Sequence, residues 1–303
     1  MNKNINFSSN FKKANVLSFS LFIISILFIF FKGLNYGIDF KGGTLIELRV
    51  TNNQNVNISE IRSSLNSLNL GDINVKEFGK KGDFLIKIEQ KTENNNKLIP
   101  QIKKTLIENL SAEINFRRVE NVGPKVSSEL LQSGIIAITL SLAAMLFYIW
   151  IRFEWQFSVG SIIAIFHDVI LTVGIFSILS LEINLSIIAA VLTIVGYSMN
   201  DTVVIYDRIR ENLDKYTRLD ISEIANLSIN ETLSRTIITS VTTLLALGSI
   251  FILGGEILKG FSFAMILGVI IGTYSSIFVA SPVLKFFKVS YKTLEKEEEK
   301  ILP

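Results

Sequence analysis

The chain has 303 residues, 49% of them hydrophobic, and a formal net charge of +3. Mean hydropathy is +0.44, too apolar for an ordinary soluble domain, and the nearly balanced charge offers no footprint for nucleic acid. Cysteine is absent, which excludes disulfides and thiolate metal sites, and a single histidine leaves little for an imidazole-based one; no metal and no cofactor is expected.

The first apolar run covers 14–31, bracketed by Lys12, Lys13 and Lys32. It is longer than the apolar core of a secretory signal peptide and no small-residue cleavage site follows, so an uncleaved anchor is expected. Five more runs come at 131–151, 157–181, 183–206, 237–253 and 261–287. About 20 apolar residues cross the hydrocarbon core, so six transmembrane helices are expected, with both termini on one side. The basic residues choose that side. Lys3, Lys12, Lys13, Arg152, Arg208, Arg210, Lys215, Arg218, Arg235, Lys285, Lys288, Lys292, Lys296 and Lys300 fall on one face, and the short loops opposite carry only Lys259. Both termini are therefore expected in the cytoplasm. The chain divides into 1–32 (N-terminus and helix one), 33–130 (an extracytoplasmic domain), 131–287 (a five-helix bundle) and 288–303 (a cytoplasmic tail).

The segment between spans one and two alternates legibly. "GTLIELRV" at 43–50 reads as a strand. Residues 58–68 place apolar side chains at 58, 61, 65 and 68, a helical spacing, with Ser59 as N-cap. "INVKEF" and "DFLIKIE" read as strands joined by the Gly-Lys-Lys-Gly turn at 79–82. "LIPQIKKTLIENL" reads as a helix with Pro100 in its first turn, and "EINFRRVENV" as a last strand. The order β-α-β-β-α-β predicts a ferredoxin-like α+β domain. Its conspicuous motif is "GIDFKGGT" at 37–44. Gly42 and Gly43 permit unusual backbone angles and Asp39 caps locally, which makes the motif structural.

Ionisable residues inside the spans carry the functional signal. Span three holds His167 and Asp168 about ten residues from its start, roughly 15 Å deep. Ser161, Ala164, Asp168 and Thr172 share one face there. Span four aligns Thr193, Gly196, Tyr197, Asn200, Asp201, Val204 and Arg208, with Asp201 roughly 9 Å inside the boundary. Span five begins with Arg235 and continues through Thr239, Thr242 and Thr243. Gly268, Gly272 and Ser276 in span six allow close helix packing. A mid-span carboxylate costs roughly 2.5–3.5 kcal/mol on insertion scales, so Asp201 is a functional candidate, with Arg235 as counter-charge. Arg208, Arg210 and Glu211 read as a solvated face.

In order along the chain, "GIDFKGGT", "FEWQ" (153–156), "HDV" (167–169), "GYSMNDTVVIYDRIREN" (196–212), "TLSRTIITS" (232–240) and "GFSFAMILGVIIGTYSSIFVASP" (260–282) resemble the SecD/SecF family of protein-export membrane proteins, on its SecF side. The resemblance runs from span one through span six. It implies membership of the resistance-nodulation-division superfamily and pairing with SecD, so that two six-helix bundles face each other. It further implies assistance to the SecYEG channel and SecA in the bacterial inner membrane, with YidC and YajC as further associates, and coupling of the proton-motive force to late export of a translocating preprotein. The α+β domain would be periplasmic and the bundle lipid-embedded. The proton-pathway Asp of the family falls on Asp201 and its span-five Arg on Arg235. His167, Asp168, Asn200 and Thr239 complete the expected pathway. The alternatives are a passive subunit that stabilises the translocon without proton coupling, and an intramembrane aspartyl protease with Asp168 and Asp201 as its dyad.

Overall fold

The computed structural model describes residues 5–51, 56–68, 70–89, 98–110, 112–291 and 293. Lys3 and most of the expected tail, with Lys292, Lys296 and Lys300, lie outside them. The molecule divides into two compact units. One comprises Met1–Asn35, Ile138–Leu181 and Ser186–Pro303; the other comprises Tyr36–Ala137 together with Glu182–Leu185.

After a single 3-10 turn (Ser8–Asn10), helix α1 runs over Phe11–Phe31. Strand β1 (Asn35–Tyr36) and the short helix α2 (Ile38–Lys41) lead into β2 (Gly43–Val50). Then follow α3 (Ile58–Asn66), β3 (Ile73–Glu77), β4 (Asp83–Ile88), α4 (Leu98–Leu110) and β5 (Ile114–Val122). The sheet order is β3-β4-β2-β5 with every pair antiparallel. Joined to the chain order β-α-β-β-α-β, this is the ferredoxin-like arrangement the alternation predicts. Even-numbered residues of β2 (Ile46, Leu48, Val50) meet Ile61 and Leu65 of α3 and Ile102 and Leu106 of α4 in one core. The cap of α3 is Asn57, not Ser59. Asn57 has the extended backbone a cap requires and its side chain accepts from the Glu60 N–H, whereas Ser59 is already inside the first turn.

The opposite face of β2 is charged. Arg49 and Asp83 are cross-strand partners in register, and the guanidinium grips the carboxylate at 2.5 and 2.6 Å. The β2–β5 register shifts between Glu47 and Leu48, which skips Arg117; that bulge aims Arg117 at Asp83 and Glu47, 3.6 and 3.8 Å away. The Arg49 hydrogen bonds hold the Asp83 carboxyl below its ordinary value. A carboxyl depressed in the folded state stabilises the domain above the unfolded value of about 3.9, and that contribution disappears as the pH falls through the lower folded value. Asp83→Asn is expected to cost about 1 kcal/mol, tempered by the solvent exposure of Arg49, and to flatten the acid limb of a stability–pH curve. Thermal melts of the full chain in detergent from neutral to acid pH, read by hydrogen exchange in β2 and β4, check both effects.

The remaining elements are α5 (Pro124–Arg152), α6 (Trp155–Ile178), β6 (Glu182–Ile183, paired with β1), α7 (Leu185–Lys215), α8 (Ile221–Leu253) and α9 (Gly255–Ser275). A π turn (Ser276–Ala280) and α10 (Ser281–Phe286) extend α9. Among the described residues, six helices are long and apolar enough to cross a membrane. α6, α7 and α9 are its half-buried centre, while α1, α5 and α8 present large apolar side chains such as Phe19, Phe147, Trp150 and Leu245 outward. The π turn has a local cause. Pro282 cannot donate to the carbonyl of Phe278, and the Ser281 hydroxyl bonds the Ser276 carbonyl instead at 2.9 Å.

α7 and α8 extend well past their apolar runs and meet as paired helices. Arg208 bonds Glu231 at 2.6 Å and Glu211 at 2.5 Å; Asn212 bonds Ser228 and Glu231; Arg210 bonds Glu154 and Arg152 bonds Asp207. The expected solvated face of Arg208, Arg210 and Glu211 is thus an ion-pair network, because α8 begins some 16 residues before its apolar run and brings Glu231 to Arg208.

Candidate functional site

The "GIDFKGGT" motif is built by its glycines and its carboxylate. Gly42 has φ +76° and Gly43 φ +137°, and a Cβ on Gly43 would stand 2.5 Å from the Ile88 carbonyl oxygen. Asp39 does not cap locally. Its Oδ2 accepts the N–H of Leu185, the first residue of α7, at 2.9 Å, and Gly37 N–H donates to the Ile183 carbonyl at 2.8 Å. A helix start has orphan N–H groups, and here a carboxylate from a distant segment satisfies one of them. Lys87 pairs with Glu182 in the same unit. The motif clasps residues 182–185 and contains no reacting group.

Within the helical unit, small residues let the three central helices approach. Gly268 lies against Ile194 and Gly272 against Ser198, so both glycines sit at the α7–α9 crossing, where Ser276 also bonds Thr202 at 3.0 Å. Gly160 receives the fully buried ring of Tyr206, whose hydroxyl donates to the Ala280 carbonyl at 2.9 Å.

Two carboxylates lie inside this packing. Asp168 on α6 is 1% exposed. Its Oδ1 is 2.8 Å from His167 Nδ1, and its Oδ2 accepts from Ser198 of α7 at 2.5 Å and Ser275 of α9 at 2.7 Å. His167 is 4% exposed, its ring is stacked on Phe22 of α1, and its Nε2 has no protein partner. Asp201 on α7 is 3% exposed, and its Oδ2 accepts from Thr273 of α9 at 3.5 Å. Thr273 is 2.8 Å from Ser240 of α8, which accepts from Tyr197 at 3.3 Å. A hydroxyl has one proton to give. With Thr273 donating to Asp201, Ser240 donates to Thr273 and Tyr197 to Ser240, so every proton of the chain points at the carboxylate.

The structure sorts the expected pathway residues. Asp201, Asp168 and His167 are buried. Arg235 is exposed and makes no ion pair with Asp201 within 4.0 Å among the described residues. Asn200 and Thr193 also face outward. The Thr239 hydroxyl bonds the Arg235 and Thr236 carbonyls of its own helix, and the neighbouring Ser240 is the residue that points inward. Asp168 and Asp201 share no hydrogen bond, each having its own partners, so they do not form an aspartyl dyad. Ser198, Ser240, Thr273 and Ser275 are missing from the sequence reading. Ser198 precedes Asp201 by three residues, one helical turn, and that spacing was the available signal.

The chain matches two families: "Protein export membrane protein SecD/SecF, C-terminal" over residues 102–290 and "SecD/SecF GG Motif" over residues 27–54. It is 49% identical over 280 residues to the protein translocase subunit SecF of Rickettsia bellii, covering 92% of each chain. It is 46% identical over 292 residues to that of Rickettsia rickettsii, covering 95% of this chain and 94% of the relative. Among solved structures it resembles SecDF of Thermus thermophilus, described as a translocon-associated membrane protein. The TM-score is 0.84 at 36% identity, over 94% of this chain and 39% of that one. A SecDF structure in a super-membrane-facing form aligns with a TM-score of 0.70 at 34% identity, over 99% of this chain and 40% of that one. The chain thus spans about two fifths of the SecDF chains it matches. With the GG motif folded as a clasp and the carboxylates set on the central helices, the chain belongs to the SecD/SecF family of protein export membrane proteins.

Proposed function

We propose that the chain is the SecF subunit of a protein translocase, which with SecD draws on the proton-motive force to promote late export through SecYEG and SecA. In this reading it lies in the bacterial inner membrane with both termini cytoplasmic and the α+β domain periplasmic. YidC and YajC are further associates, and the emerging preprotein is the load.

The observation that carries the reading is Asp201, a 3%-exposed carboxylate held by one hydroxyl at 3.5 Å and touching no cation among the described residues. A carboxylate so placed costs roughly 2.5–3.5 kcal/mol of insertion and has the Tyr197–Ser240–Thr273 hydroxyls as a ready path for a proton. Arg235, outward-facing on α8, together with Asn200 and Thr193 gives a polar surface suited to a second helix bundle. SecD is the proposed owner of that bundle. Proteoliposomes holding the chain with SecD test the reading. An imposed proton gradient should dissipate faster through the wild-type complex than through one with Asp201→Asn. Equal rates with both complexes intact would favour the passive stabilising subunit instead.

A further inference from the structure

The His167–Asp168 pair is built like a site and is left unused by the pathway through Asp201. Three donors converge on the Asp168 carboxylate: His167 Nδ1, Ser198 Oγ and Ser275 Oγ. They arrive from α6, α7 and α9, so one side chain ties together the three central helices. With Asp168 ionised, Nδ1 of His167 carries its proton and Nε2 is the bare nitrogen. That Nε2 is buried and has no protein partner.

We infer that His167 and Asp168 form a second proton-binding station, in which Nε2 of His167 gains and loses the proton while Asp168 is held by Ser198 and Ser275. Its protonation stands on its own geometry; its place in a transport path rests on the reading of Asp201 above. The step balances simply. A proton adds to the Nε2 lone pair, one N–H bond forms, and the net charge of the pair goes from −1 to zero.

Two costs oppose each other and keep the site poised. Without the proton, the carboxylate has three donors but no cation: among the described residues no Lys or Arg comes within 4.0 Å of Asp168. With it, the pair is neutral but Nε2–H has no acceptor. The surroundings add no competing charge. α1 offers Phe22, and its titratable residues Lys12 and Lys13 are at its start; α7 offers Ser198, with Tyr197 beside it and Asp201 one turn on; α9 offers Ser275, with Tyr274 bound to Ser18 and the Ala14 carbonyl. The π turn contributes no titratable side chain, and α10 carries only Lys285, near its end.

α6 itself supplies the approach. Ser161, seven residues before Asp168 and on its face, and Gln156, eleven before His167 and on its face, are both buried with an oxygen that has no protein partner. They place an unpartnered buried oxygen on the face of each member of the pair, nearer the start of α6. The station also reaches Asp201 by shared helices: Ser198 is one turn from Asp201, and Ser275 is two residues from Thr273. A proton on Nε2 makes the imidazole a cation that draws on Asp168, which weakens the carboxylate's hold on both serines and loosens the α7–α9 crossing on which Asp201 depends.

The chain contains a single histidine, so one labelled ring reports the site. The chain is labelled with nitrogen-15 histidine, purified by a histidine-free tag with its unlabelled partner in lipid nanodiscs, and followed by NMR from about pH 9 to about pH 5. The expected result is an Nδ1 that stays N–H throughout and an Nε2 that converts from bare to N–H in one step. Asp168→Asn should release the fixed tautomer. An Nε2 that keeps one protonation state across the range, or an Nδ1 that loses its proton, overturns the inference. The same titration in the Asp201→Asn chain should persist even where proton flux is lost, which separates this site from that one. His167→Phe, which keeps the stacking on Phe22, should lower the gradient-driven proton flux at least about tenfold with the complex assembled; undiminished flux removes the station from the path.

Discussion

Asp201→Asn is expected to bring export down to the level measured with the membrane potential collapsed, while the complex still assembles and purifies. The substitution conserves volume, and the amide oxygen can still accept from Thr273, so the packing of α7 on α9 has little reason to change. What disappears is the exchangeable proton. One charge moved through 100 mV supplies about 2.3 kcal/mol, close to fiftyfold in a conformational equilibrium, so losing the carrier removes a bias large enough to read in any export assay. Thr273→Val is the graded control. It keeps Asp201 and cuts the hydroxyl chain between Ser240 and the carboxylate, so flux should slow without vanishing. A pulse-chase of a secreted protein in cells, with and without an uncoupler, checks both variants. Full uncoupler-sensitive export from the Asp201→Asn strain would return the chain to the passive role.

The sequence made Asp168 and Asp201 visible because charge is rare in apolar runs, and the α+β domain visible because periods of 2 and 3.6 alternate there. What it could not do was turn the helices. In a soluble protein the apolar face points inward; in a bilayer lipid and core are equally apolar, so a stripe does not name its own inside. That is why Asn200 and Thr239 look like pathway residues and face outward or bond their own helix, while Ser198 and Ser240 hold the interior positions. The two serine donors to Asp168 come from 30 and 107 residues away, beyond any local pattern. Asp39 illustrates the same limit: its acidic side chain suits a cap, but the helix it caps begins 146 residues on. Arg208 and Arg210 looked solvated because their partners Glu231 and Glu154 lie on other elements.

Gly43→Ala is expected to cost the α+β domain more than about 3 kcal/mol. Two costs add. At φ +137° an L side chain is strained wherever it sits, worth about 1 kcal/mol or more, and the new Cβ would stand 2.5 Å from the Ile88 carbonyl oxygen. That carbonyl cannot retreat, because Thr44 and Ile88 are register partners and β2 is a central strand, flanked by β4 and β5. Gly42→Ala, at φ +76° with its nearest contact at 3.3 Å, should cost only the backbone part, about 1 kcal/mol. Gly123→Ala, with nothing within 4 Å, should be neutral. Hydrogen exchange of the full chain, read in β2 and β4, orders the three. The ranking also decides what the motif is for. A glycine kept open for a ligand would lose export on substitution while β2 stayed protected; a glycine kept for backbone should lose protection in β2 first, and export only as a consequence of the unfolded clasp on residues 182–185.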